Sequence, residues 1–244
     1  MKLKDKFAIV TGASTGIGRA VAVELGKKGY MVGLVARRKE KMEETKKMVE
    51  KVGGVAEVFV YDLANVLQVT NLIQKVKEWT GRLDVLVYVA GVWHGEGEVY
   101  AGKEFATFDQ KVILDTYAVG FTAPTLMVHG LLPIMGQGSV IVNLSGTFEN
   151  GAKGWLPYFA SKRALEDFTL GLAEELKDKG IRANCVSPSD TATEEYKKYF
   201  PEDAKDANLV EDVARVIVEM IESGESGKFL GIKRGRSTFE AFHK

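Results

Sequence analysis

The chain has 244 residues, with 33 basic and 33 acidic side chains, three histidines and one cysteine. Balanced charge excludes a global field that would draw nucleic acid or an anionic membrane, and a lone cysteine excludes an internal disulfide. The histidines are too scattered for a metal site, no uncharged apolar run is long enough to span a membrane, and residues 1–6 lead straight into a strand, which leaves no signal peptide and points to the cytoplasm.

From the first residues, short apolar runs alternate with longer amphipathic stretches, and the length suits one core in one domain over 1–244. Residues 7–10 form the first predicted strand and 17–28 the first helix. The turn between them reads Thr11-Gly12-Ala13-Ser14-Thr15-Gly16-Ile17-Gly18. Its glycines let the backbone bend and let a ligand approach where a Cβ would stand. The opening helix offers free N–H groups and a positive dipole end to a pyrophosphate. Because these glycines follow a strand and open a helix, they point to a dinucleotide. The second predicted strand, 31–35, runs into Ala36-Arg37-Arg38, with no carboxylate at its end. A carboxylate would take the ribose hydroxyls of NAD, whereas a guanidinium fork suits the 2′-phosphate of NADP, so Arg37 and Arg38 select NADP(H). A helix over 38–51 follows, with its lysines and glutamates solvated and Met42, Met48 and Val49 turned inward.

Strand 55–61 and helix 66–79 continue the alternation, and strand 84–89 leads into a glycine-rich loop, 92–103, carrying Trp93, His94 and Tyr100. One long helix is expected over about 104–132, then strand 140–144, helix 157–178 and strand 181–186. An irregular loop at about 188–209 precedes helix 210–222 and a last strand at 228–232. The strands are almost continuously apolar, as in a parallel sheet covered on both faces. The whole reads as an α/β fold, a Rossmann-like, doubly wound, mostly parallel sheet of about seven strands. Both irregular loops emerge at carboxyl ends of strands, where such sheets bind ligands. Tyr158 and Lys162 stand four apart in the 157–178 helix and share a face. A tyrosine of pKa about 10 is a poor proton carrier at neutral pH, and a neighbouring ammonium lowers that value.

In this order and spacing the motifs resemble the short-chain dehydrogenase/reductase family over nearly the whole chain. The matching segments are Thr11-Gly-x-x-x-Gly16-x-Gly18, Asp62-Leu63, Ala90-Gly91, Ser145, Tyr158-x-x-x-Lys162 and Arg182-x-Asn184-x-Val186-x-Pro188. The resemblance implies reversible hydride transfer between nicotinamide and a carbonyl or alcohol. It implies that Tyr158 gives its proton to the carbonyl oxygen, and that Ser145 hydrogen-bonds the same oxygen. Lys162 would hold the nicotinamide ribose and depress the tyrosine pKa. Asp62 and Leu63 would flank adenine, Ala90 and Gly91 the adenine ribose, and Pro188, Ser189, Thr191 and Thr193 the nicotinamide end. Trp93, His94, Phe148, Trp155 and Tyr196 would wall a pocket suited to an apolar or ring-bearing carbonyl. The resemblance also implies a homodimer or homotetramer paired through the two long helices.

The chain departs from the family pattern in places. Tyr88-Val89 stand where two asparagines commonly precede Ala-Gly, and Pro188-Ser189 replace Pro-Gly. Tyr117 stands at the family's catalytic asparagine, which puts a proton-relaying water in doubt. The usual glycine-rich carboxyl-terminal end is replaced by Lys233-Arg234-Gly235 and an aromatic tail. These departures keep a second reading open, an NADP(H)-binding regulator or scaffold on a catalytically decayed fold. A third is an isomerising or dehydrating member that uses bound nicotinamide as a transient hydride store. Retention of Ser145, Tyr158 and Lys162 favours the oxidoreductase.

Overall fold

The computed structural model describes residues 6–146, 152–234 and 236–240. Among them eight strands form one sheet: β1 (Phe7–Thr11), β2 (Met31–Ala36), β3 (Val55–Val60), β4 (Val85–Tyr88), β5 (Val140–Leu144), β6 (Arg182–Pro188), β7 (Phe229–Lys233) and β8 (Arg236–Glu240). The order is β3-β2-β1-β4-β5-β6-β7-β8, parallel throughout except for β8. The strand order reverses between β1 and β4, which opens a crevice at their carboxyl ends.

Period-two alternation sends neighbouring residues of a strand to opposite layers. Ala8 and Val10 of β1 join one core with α1 (Gly16–Lys27) and α8 (Val210–Glu222), through Val21, Leu25, Val213 and Ile217. Ile9 joins the other, with α3 (Val66–Trp79) and α5 (Ala123–Leu131), through Val69, Leu72, Met127 and Leu131. The helices α2 (Lys39–Lys51), α4 (Gln110–Tyr117), α6 (Leu156–Glu175) and α7 (Glu194–Tyr199) complete the two layers. On α2, Met42 and Val49 are buried as expected, but Met48 is 46% exposed; Thr45 takes the inner face between them.

Three sequence expectations change. The sheet has eight strands where about seven are expected, because Arg236–Glu240 turns back as an antiparallel edge strand from Arg234, whose φ is +49°. All five of its residues are exposed, so no buried periodicity marks it in the sequence. The single helix over about 104–132 is broken. It begins at Gln110, where the Asp109 side chain accepts from the Lys111 N–H, and it widens into a π-type turn over Ala118–Thr122. Pro124 at the start of α5 has no N–H to give to the carbonyl four residues back, which accounts for the change of pitch. The loop at about 188–209 contains the short helix α7. Residues Gln110–Ile134 are long and apolar enough to cross a membrane by length and composition, and Met127, Val128 and Leu131 of this segment pack into the core.

Candidate active site

A cavity of about 790 Å³ spans the carboxyl ends of β1 to β4. At Gly12, with φ +67°, an added Cβ would stand 3.1 Å from the Ala90 nitrogen; at Gly18 it would stand 2.3 Å from the Gly12 oxygen. Backbone therefore approaches backbone here with no room for a side chain. The buried Thr11 hydroxyl ties β1 to the end of β4, accepting from the N–H groups of Val89 at 3.0 Å and Ala90 at 3.2 Å. Helix α1 opens into the cavity at Gly16 with no side-chain cap from Thr15 and no acidic residue in its first turn. Its first amides are left for an anion, and the residues fit a dinucleotide pyrophosphate. Arg19 braces the turn from behind, donating to the Ser14 carbonyl at 2.6 Å and to Thr45 Oγ1 at 3.1 Å. Both Arg37 and Arg38 are exposed on the cavity rim, and Arg38 Nη2 reaches Thr15 Oγ1 at 3.2 Å and Ser14 Oγ at 3.4 Å. Ser14, Ile17, Asp62, Leu63, Ala90 and Gly91 line the same space. The Asp62 carboxylate is fixed by the Ala64 N–H at 3.0 Å.

At the other end, Tyr158 and Lys162 converge on Gly91. A Cβ on that glycine would lie 3.5 Å from the Tyr158 hydroxyl and 3.6 Å from Lys162 Nζ. The ammonium is buried, donates to the Leu144 carbonyl at 2.7 Å and lies 5.3 Å from the Tyr158 ring centre. Burial draws Lys162 down to about 8, opposed by Cys185 and Glu166. Desolvation pushes the half-buried Tyr158 above the ordinary phenol value, not below it as the spacing suggests.

Ser145 is also buried, and its hydroxyl donates to Glu166 Oε1 on α6 rather than facing the cavity. Tyr117 is 37% exposed and does not border the cavity. Tyr88 instead reaches the wide turn, donating to the Val119 carbonyl at 2.6 Å, and Val119 lines the cavity. Burial pushes the Tyr88 phenol well up, so this donor keeps its proton.

Over Tyr158 stands a cluster of rings. The Trp93 centroid lies 4.4 Å from His94, 6.3 Å from Tyr196, 6.1 Å from Tyr199 and 6.5 Å from Trp155, and Trp155 lies 6.1 Å from Tyr158. Four of the five residues expected at the substrate therefore gather here; Phe148 lies outside the described residues. Trp93 and His94 border the cavity. Thr193 does too, with its methyl 3.0 Å from where a Gly16 Cβ would be. Pro188, Ser189 and Thr191 do not border it. Pro188 ends β6 beside Ile232 of β7, while Ser189 and Thr191 are drawn to buried Asn208, which bridges to Thr191 and donates to Ser189 Oγ at 3.0 Å and to the Asp190 carbonyl at 3.0 Å. Sequence reasoning missed Arg19, Asn208 and Glu166. Only Glu166 carries a signal, its position one helical turn beyond Lys162.

Residues 6–204 match the short chain dehydrogenase family. A Staphylococcus saprophyticus protein described as an uncharacterized oxidoreductase is 33% identical over 222 residues, covering 86% of this chain and 92% of that one. A short chain dehydrogenase from Burkholderia cenocepacia, solved in complex with NADP, superposes with a TM-score of 0.85 at 28% identity, covering 96% of this chain and 99% of that one. The landomycin C-6 ketoreductase LanV, solved with bound NADP and rabelomycin, gives 0.82 at 28% identity over 94% of this chain and 95% of that one.

Proposed function

The chain belongs to the short-chain dehydrogenase family, and from that premise we propose an NADP(H)-dependent oxidoreductase that reversibly reduces a ketone or aldehyde to an alcohol, with Tyr158 as acid and base. The observation that carries this reading is the convergence of Tyr158 and buried Lys162 on Gly91, where Tyr158 and Gly91 line one cavity with the glycine turn and two arginines. NADPH, when bound, supplies the hydride. The amides opening α1 would hold the pyrophosphate, Arg37 and Arg38 the 2′-phosphate, and Lys162 the nicotinamide ribose. Tyr158 keeps its proton at neutral pH and gives it to the carbonyl oxygen; in the oxidative direction it must lose that proton first, which favours alkaline pH.

The ring cluster around Trp93 supports a ring-bearing carbonyl, and LanV, a structural neighbour, is a ketoreductase solved with rabelomycin. Exposed Leu114 and Tyr117 on α4 and Leu170 on α6 support a homodimer or homotetramer through these helices. Sedimentation as a monomer would overturn that part. Packing of Met127, Val128 and Leu131 from the 110–134 segment into the core and the chain's balanced charge support a cytoplasmic protein.

The test is NADPH consumption with a panel of aromatic and aliphatic ketones. Tyr158→Phe is expected to lower kcat by about 100- to 10,000-fold while NADPH binding, read by tryptophan fluorescence, is retained. An unaffected rate would remove Tyr158 from the chemistry. Binding of NADPH with no turnover of any carbonyl would establish the regulator instead, and turnover without net NADPH consumption would establish the hydride-storing enzyme.

A further inference from the structure

Behind the cavity wall lies a buried polar chain that the proposed reaction does not use. Ser145 donates to Glu166 Oε1, and Arg163 Nη1 pairs with Glu166 Oε2 at 2.6 Å. Glu166 is wholly buried, one turn beyond Lys162 on α6. Lys162 in turn donates to the carbonyl of Leu144, the residue before Ser145. Burying a carboxylate is costly even when it is paired, and an apolar side chain would fill the same space more cheaply. The charge therefore calls for a role beyond packing.

We propose that Glu166 is a positioning residue: through Ser145 it fixes the end of β5 so that the Leu144 carbonyl holds the Lys162 ammonium beside Tyr158, and its negative charge offsets the burial of that ammonium. The inference rests on the roles given to Lys162 and Tyr158 above. The groups facing Lys162 are Tyr158 and Glu166 from α6, with Arg163 across Glu166, the Leu144 carbonyl from β5, Gly91 after β4, and Cys185 from β6. Burial, with Glu166 adding to it, pushes the Cys185 thiol far above its ordinary value. Cys185 is thus neutral where Lys162 titrates, which leaves Glu166 as the anion that supports the ammonium.

The test needs no turnover. The Lys162 side chain is titrated by its 13Cε chemical shift in protein carrying labelled lysine, with the signal identified by its loss in Lys162→Arg. The wild-type midpoint is expected below the ordinary lysine value, at about 8 or lower because Cys185 is neutral there. Glu166→Gln should lower it by about one pH unit, and should carry the alkaline limb of kcat/KM for carbonyl reduction down with it. An unchanged midpoint in folded Glu166→Gln overturns the proposal. Ser145→Ala, which keeps the charge, serves where Glu166→Gln does not fold. It should shift the midpoint, because the Leu144 carbonyl is no longer pinned, and lower kcat by less than about tenfold; an unmoved midpoint overturns the pin. A loss of about 100-fold or more, the size of a missing oxyanion donor, would put the Ser145 hydroxyl on substrate and overturn its part as a pin. If wild-type protein reduces no carbonyl, the oxidoreductase reading falls, while the titration still decides for Glu166.

Discussion

Tyr158 and Lys162 are pushed in opposite directions by the same burial, the phenol upward and the ammonium down to about 8. As pH rises, Lys162 therefore loses its charge before Tyr158 loses its proton, and the proposed hold on the ribose weakens first. Reductive kcat/KM is expected to be level below pH about 8 and to fall about tenfold per pH unit above it, measured as NADPH consumption at saturating cofactor. A decline that begins only above about pH 10 would place the titration on the phenol. The Tyr158–Lys162 pairing was legible because helical spacing fixes which side chains share a face. That Ser145 faces Glu166, itself one helical turn beyond Lys162, follows from strand parity. Ile141 packs with α6 residues in one core, Asn143 donates to Thr169 at 2.9 Å, and Ser145 continues that alternation to Glu166. Its N–H still bonds the Val186 carbonyl at 2.8 Å, so the sheet dictates where the hydroxyl points. A motif that names a serine does not carry that parity.

Among the elements, the wide turn Ala118–Thr122 is where this chain differs most from a plain helix, and it sits against the cavity. Its Val119 carbonyl is held by the Tyr88 hydroxyl, from the strand position where the family commonly has asparagine. Tyr88→Phe removes the donor and leaves that carbonyl without it, which should cost about 1–3 kcal/mol of unfolding free energy in urea titrations with an unchanged denaturant slope. Stability equal to wild type would mean that the turn is set by Pro124 alone. The alternating strands and helices were readable because buried faces repeat at 2 or 3.6 residues. The break within 104–132 was not, since the apolar pattern runs on while the hydrogen-bond ladder changes pitch. Nor was α7, a six-residue helix of charged and tyrosine residues capped by Thr193.

At the scale of the whole molecule, the nucleotide seat joins parts distant in sequence: the turn before α1, the end of β2, the end of β4 and the flap carrying α7. Arg19 links two of these neighbourhoods and α2 beside them, touching the Ser14 carbonyl, Glu194 on α7 at 3.7 Å and Glu44 on α2 at 3.2 Å. The edge strand β8 lies outside this seat, and its exposed residues contribute little to what a ligand can tie together. A ligand that fills the seat binds only the folded chain, so its affinity adds to global stability by mass action. At about a hundredfold excess over Kd the gain is about 2.7 kcal/mol. At about 2–4 °C per kcal/mol for a chain of this length, NADPH should raise Tm by about 5–10 °C. NADH at the same concentration should raise it less, because it offers no 2′-phosphate to the guanidinium groups at the end of β2. Arg38 is the more informative of the two arginines, since it already bridges to Ser14 and Thr15 across the turn. Arg38→Ala should therefore bring the NADPH shift down toward that of NADH while leaving the NADH shift unchanged. Equal shifts from both cofactors in the wild type would mean that the arginines do not select the phosphate, and that the seat reads only what the two dinucleotides share.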